Sequence, residues 1–169
     1  GTTGNVVIDN GTTALDLAAS TINGTLTATG GASAGIVDSG NVAVAGNVTL
    51  TTDAGNGVIN MGTLQQSAGD LILVTNGSGA ATVVNNAAID FGTSNVGGAL
   101  NATASAGTIT QNGGALTVAG TSAFTTSTND QAITLSNTTN ALTGAVAFTT
   151  GGTTGNVVID NGTTALDLA

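Results

Sequence analysis

Residues Ala14 to Ala28 read ALDLAASTINGTLTA, and residues Ala88 to Ala102 read AIDFGTSNVGGALNA. Laid over one another without a gap, Ala14 on Ala88, they match apolar on apolar: Leu15 on Ile89, Leu17 on Phe91, Ile22 on Val96 and Leu26 on Leu100. Asp16 falls on Asp90, Ser20 on Ser94 and Gly24 on Gly98. The register continues, with Val44-Ala45-Gly46 on Val118-Ala119-Gly120, Leu50 on Phe124 and Ile59 on Ile133. A stricter period encloses this one. GTTGNVVIDNGTTALDLA, Gly1 to Ala18, returns unchanged from Gly152 to Ala169, a period of 151 residues. Residues 1–151 therefore read as one full tandem unit built of two half-repeats related by about 74 residues, and 152–169 as the start of the next identical unit. Repetition at nested periods is the mark of an architecture that stacks one structural unit on another, and a window from a longer array is expected.

The runs between these landmarks carry strand signals. VAVAGNVTL (Val42–Leu50), ALTVAGTSAF (Ala115–Phe124), AITL (Ala132–Leu135) and AVAF (Ala145–Phe148) alternate apolar with small polar residues at period two. Asn-Gly pairs at Asn10, Asn23, Asn56, Asn76, Asn112 and Asn161 interrupt them, and both residue types tolerate the positive φ of tight turns. No sustained helical stripe occurs, and Glu, Lys and Arg, all good helix formers, are absent.

A β-sandwich would also show short strands, but three features favour a solenoid. The pattern repeats at two nested periods. Inward positions are small or aliphatic and rarely aromatic, as a narrow interior requires. The chain has no Pro and no Lys, the usual protectors of exposed sheet edges, and a solenoid keeps edges only at its two ends. The fold expected is all-β, a right-handed parallel β-helix, since β-crossovers are overwhelmingly right-handed. A coil of roughly 19 residues divides both periods, giving about four coils per half-repeat, about eight per unit and roughly 38 Å of rod per unit at the inter-strand spacing. The expected core is Leu15, Leu17, Ile22, Leu26, Val44, Leu50, Ile59, Leu71, Leu73 and Ile89, then Phe91, Val96, Leu100, Ile109, Val118, Phe124, Ile133, Leu135, Val146 and Phe148. One coil cannot offset its own ordering entropy, so stability rests on stacked interfaces.

Composition narrows the function. The 169 residues include nine Asp and no Glu, Lys, Arg, His, Cys, Pro, Trp or Tyr. Without cations the chain cannot displace counterions from phosphates, so no nucleic-acid partner is expected. No apolar run approaches a membrane span, so no membrane insertion is expected either. Disorder is disfavoured, because only 5% of residues are charged and aliphatics recur throughout. Asp is the one available acid, base or strong metal ligand. Asp16 and Asp90, equivalent and four coils apart, would stand about 19 Å from each other, beyond the roughly 5–9.5 Å of glycosidase carboxylates. Asp9 and Asp16 are closer in sequence. No enzyme, no catalytic residue, no cofactor and no bound metal are expected. The calcium nonapeptide GGxGxD is absent, and DAGNG at Asp53 and DNG at Asp9 and Asp160 read as turns, leaving only loose Ca2+ bridging between neighbouring rods as a metal role. Sequons at Asn10, Asn23, Asn47, Asn76, Asn101, Asn137 and Asn161 are what chance produces in a chain this rich in Asn and Thr.

AITLSNTTNALTGAVAFTT (Ala132–Thr150), TINGTLTATGG (Thr21–Gly31) and GGALTVAGTSAFTT (Gly113–Thr126) resemble repeats of filamentous-haemagglutinin-like exoproteins. The resemblance implies a right-handed β-helical shaft of a very large secreted protein serving adhesion, aggregation or biofilm structure. The chain departs from that pattern in lacking all Lys and Arg. The expected function is a mechanical shaft or spacer in an extracellular or cell-surface fibre. Its partners are itself, through stacked units and lateral bundling of rods, and surface glycans. Two alternatives are a glycan- or surface-binding module, marked by T-x-T ladders of which TLTAT (Thr25–Thr29) is a fragment, and a functional-amyloid-like matrix fibre.

Overall fold

The computed structural model describes residues 4–169; Gly1, Thr2 and Thr3, where the first unit opens, lie outside the described residues. Among the described residues there is no helix, and twenty strands join in two sheets by parallel pairing throughout. Parallel neighbours so close in sequence require the chain to circle back between them, which makes a β-solenoid.

The coil length follows from one column of paired residues. Leu15, Ile36, Ile59, Ala81, Leu100, Ser122, Val146 and Leu168 stack in succession. The column takes seven steps, which average roughly 22 residues, a length common among solenoid repeats. The coil is thus longer than expected, and a unit holds seven coils rather than eight, or roughly 34 Å of rod. The reason is local. Most coils combine one long strand, two short ones and three corners, and the corners vary in length. Only the shortest step, Ala81 to Leu100, matches the coil expected from the periods.

The order of strands shows how the half-repeats are laid down. Strand β1 (Val6–Asp9) lies in the first sheet. The chain crosses to the second sheet for β2 (Leu15–Leu17) and β3 (Ser20–Ile22), then returns for β4 (Leu26–Gly30). It repeats this with β5 (Ile36–Asp38), β6 (Val42–Val44) and β7 (Val48–Thr52). It does so once more with β8 (Ile59–Gln66) and β9 (Leu71–Val74). In β8 the two short strands fuse, its first half pairing with β5 and its second with β6.

The second half-repeat follows the same recipe on the opposite sheets. The long strands β10 (Ala81–Asn85), β13 (Leu100–Ala104), β16 (Ser122–Asn129) and β19 (Val146–Gly151) now lie in the second sheet. The short pairs β11 (Ile89–Phe91) and β12 (Ser94–Val96), β14 (Ile109–Gln111) and β15 (Leu116–Val118), and β17 (Ile133–Leu135) and β18 (Ala141–Leu142) lie in the first. Each half-repeat makes seven passes, an odd number, and so hands its successor to the other sheet. Two halves restore the phase, and β20 (Val157–Ile159), identical in sequence to the start of β1, is back in the first sheet. The half-period is three and a half coils, not four. Asp16 and Asp90 accordingly lie on opposite sheets, on β2 and β11.

Strand residues alternate inward and outward, and the inward set forms one continuous core. It contains Leu15, Leu17, Ile22, Leu26, Val44, Leu50, Ile59, Leu71, Leu73, Ile89, Phe91, Val96, Leu100, Ile109, Val118, Phe124, Ile133, Leu135 and Val146, all buried. Phe148 is half-buried on the last full coil and packs against this core. Its ring stacks on Phe124 at 5.8 Å, and Phe124 meets Phe91 edge-on at 6.1 Å across the interior.

Corners are tight enough to select glycine. Gly35 holds φ +61, and a Cβ there would overlap the Val58 carbonyl oxygen on the coil above. Of the Asn-Gly corners, Gly11, Gly77, Gly113 and Gly162 take positive φ, while at Asn56 the asparagine itself does so. Gly24 departs from the expectation: it does not take positive φ, and its missing Cβ leaves room for the carbonyl of Gly4, 2.8 Å from where that atom would lie.

Candidate functional site

Several aspartates act as clips between and within coils. Asp38, at the end of β5, accepts the Gly62 N–H at 2.8 Å and the Thr63 N–H and hydroxyl at 2.7 and 2.9 Å. These donors lie where β8 bends from one column to the next, and the carboxylate takes up N–H groups that the bend removes from the ladder. Asp130, itself at φ +62, accepts the backbone N–H groups of Thr153 and Thr154 at 2.7 and 2.8 Å on the next coil. The Thr154 N–H first, and then that of Thr153, hold its carboxyl below the ordinary aspartate value. Asp9 and Asp160, one unit apart, close the same two-residue turn by accepting the N–H of Gly11 and Gly162 at 2.9 and 2.8 Å. Asp90 accepts the Thr110 hydroxyl at 2.9 Å. Among the described residues no three His, Cys, Asp or Glu side chains cluster as a metal site.

Four buried amides were not anticipated. Asn85 is fully buried at the half-repeat junction; its Oδ1 accepts the Gln66 N–H at 2.8 Å, and its Nδ2 donates to the Gln66 and Ala88 carbonyls at 3.0 and 2.7 Å. Asn161, at the next junction, treats Leu142 in the same way, at 2.8 and 3.0 Å. The side chain thus replaces a backbone amide where the strand has left the ladder. Gln66 and Asn140 serve the corners beside these junctions: Gln66 Nε2 donates to the Gly46 and Asp70 carbonyls, and Asn140 Oδ1 accepts the Leu116 N–H. The available signal was positional, since Asn10, Asn85 and Asn161 each end an equivalent strand, VVIDN, ATVVN and VVIDN. Asn161 heads an Asn-Gly turn as expected, but its amide is turned inward and sealed, whereas Asn23, Asn47, Asn76 and Asn101 are exposed.

Two surface features remain. A shallow groove of about 300 Å3 lies where β3, β6 and the end of β8 give way to the next half-repeat, lined by Ile22, Val44, Gln65, Ser67, Asn86 and Ala87 among others. Neither a titratable nor an aromatic side chain lines it. The second feature is the outer face of the long strands. Thr27 pairs with Thr49 and Thr29 with Thr51 in adjacent coils, so T-x-T fragments from successive coils become one flat ladder. On the opposite sheet Thr103 and Thr125 align in the equivalent place.

No curated protein and no solved structure matches the chain. A family model of repeats matches it twice, over residues 3–75 and 78–149. These two matches coincide with the two half-repeats, each a set of seven passes across the rod. The chain belongs to the family described as Repeats of unknown function (DUF5649).

Proposed function

We propose that this chain is shaft material: a stiff spacer in an extracellular or cell-surface fibre that sets length and performs no catalysis. The observation carrying this reading is the phase of the repeat. Seven coils per unit return each strand type to its own sheet, so unit can follow unit with the same faces in line. A unit that closed on a half-integral number of coils would instead exchange its two sheets at every junction, as each half-repeat does. Four aspartates fit the same role: Asp9, Asp38, Asp130 and Asp160 accept backbone N–H groups at turns and bends. The absence of Lys and Arg leaves trypsin no site in the chain, a property suited to a fibre outside the cell. The resemblance of Ala132–Thr150 to haemagglutinin-like exoprotein repeats points the same way.

The test is length. Arrays of one, two and four units, imaged by cryo-electron microscopy, are expected to lengthen by roughly 34 Å per unit at constant width. Individual rods that widen as units are added, or whose length does not scale with unit number, would rule the shaft out.

A further inference from the structure

We propose that the uncharged outer faces of the long strands are where a second copy of this chain docks, side by side; the inference rests on the shaft reading. With nine aspartates and no cation, no ion pair can form between copies, and every contact between rods has to avoid carboxylates. The charge map leaves one kind of surface for this. Asp16, Asp38 and Asp90 lie on the short-strand faces, and Asp53, Asp70 and Asp130 lie at corners. None lies on β4, β7, β9, β10, β13, β16 or β19. The patch on the first sheet is bounded at one end by Asp9, in register with Thr29.

What these faces present is flat and small. Thr29, Thr51 and Val74 run in one column on the first sheet, and Val84, Thr103 and Thr125 in one column on the second. Such short side chains on parallel, in-register strands can interdigitate with a like face and exclude water. The half-turn between half-repeats puts one patch on each side of the rod, offset by three and a half coils, about 17 Å along the axis. One rod can then contact a neighbour on either side, each shifted by half a unit. Three long strands on the first sheet and four on the second, at about five residues each, cover roughly 240 and 320 Å2, far below the ~800 Å2 per partner of a stable complex. A single unit therefore associates weakly, and arrays associate through many such contacts in parallel.

The test is sedimentation equilibrium with small-angle scattering on this chain, up to about 1 mM. The expected result is association that thickens the particle and strengthens with added NaCl, which screens the aspartates. Thr51→Asp combined with Thr125→Asp should weaken it at least about tenfold, since like charges are then opposed. Thr21→Asp, on the exposed short-strand face, should leave it unchanged. Absence of association, end-to-end growth, equal sensitivity to Thr21→Asp, or reversal by EDTA, which would indicate calcium bridging, would each overturn the docking face. If the monomer itself scatters as something other than a folded solenoid of these dimensions, the shaft reading fails instead.

Discussion

The side-chain amide of Asn85 pairs with both the N–H and the C=O of Gln66, one coil away, at 2.8 and 3.0 Å. It does what a backbone peptide would do at that level. Where β8 carries two columns in one strand and the next half-repeat moves to the opposite sheet, the ladder would otherwise lose these bonds. Replacing Asn85 with Ala would leave the Gln66 N–H and the Gln66 and Ala88 carbonyls without this partner inside the rod. The expected loss is about 3 kcal/mol, read from the urea midpoint. Asn85→Asp should be no better, because its carboxylate offers no donor to the two carbonyls. A loss under about 0.5 kcal/mol would mean that water replaces the amide.

Gly35 and Gly113 separate two glycine effects. Both have positive φ, but a Cβ at Gly113 meets nothing within 4 Å, whereas one at Gly35 meets the Val58 backbone. Gly113→Ala should lose about 1 kcal/mol, the left-handed penalty alone. Gly35→Ala should lose clearly more, because two coils must separate. Thermal melts of the two variants check this, and equal losses would contradict the close approach.

Asp38 secures the bend in β8 through three hydrogen bonds to Gly62 and Thr63. Asp38→Ala is expected to destabilise by about 2 kcal/mol, as for hydrogen bonds to a charged acceptor. Hydrogen exchange should show the opening concentrated at Gly62 and Thr63 rather than spread along the rod.

Asp130 makes a pH-dependent contribution. Its folded pKa is depressed by the N–H groups of Thr154 and Thr153, so its contribution is fully present above the ordinary aspartate value, about 3.9, and is lost as pH falls through the lower folded value. The Thr153 and Thr154 amide resonances should titrate with a midpoint below that ordinary value. Asp130→Asn should abolish the titration, and a midpoint at or above it would remove the clip.

Phe124 touches Phe91 across the interior and Phe148 on the next coil. Phe124→Ala should cost about 3–5 kcal/mol through the cavity it leaves. The same truncation at half-buried Phe148 should cost less, a difference that calorimetry can read.

Much of the architecture lay in the sequence alone. The period of two in the strand runs, the exact return of the opening stretch and the half-repeat inside the unit led to a parallel solenoid, because burial alternates residue by residue and stacked coils repeat their core. Apolar positions such as Leu71, Ile109 and Leu135 are legible for the same reason. What only the tertiary structure decided is phase. Eight shorter coils and seven longer ones both fit the unit approximately, since corners vary in length without changing the strand pattern. The odd number of passes per half-repeat, the exchange of Asp16 and Asp90 between sheets and the in-register threonine ladders all follow from that one choice. The inward amides were hidden for a related reason: Asn161 heads an Asn-Gly pair that reads as a turn, yet its amide turns inward and pairs with Leu142. Whether an asparagine is a surface corner or a replacement backbone bond depends on the coil stacked against it, and that neighbour lies 19 residues away.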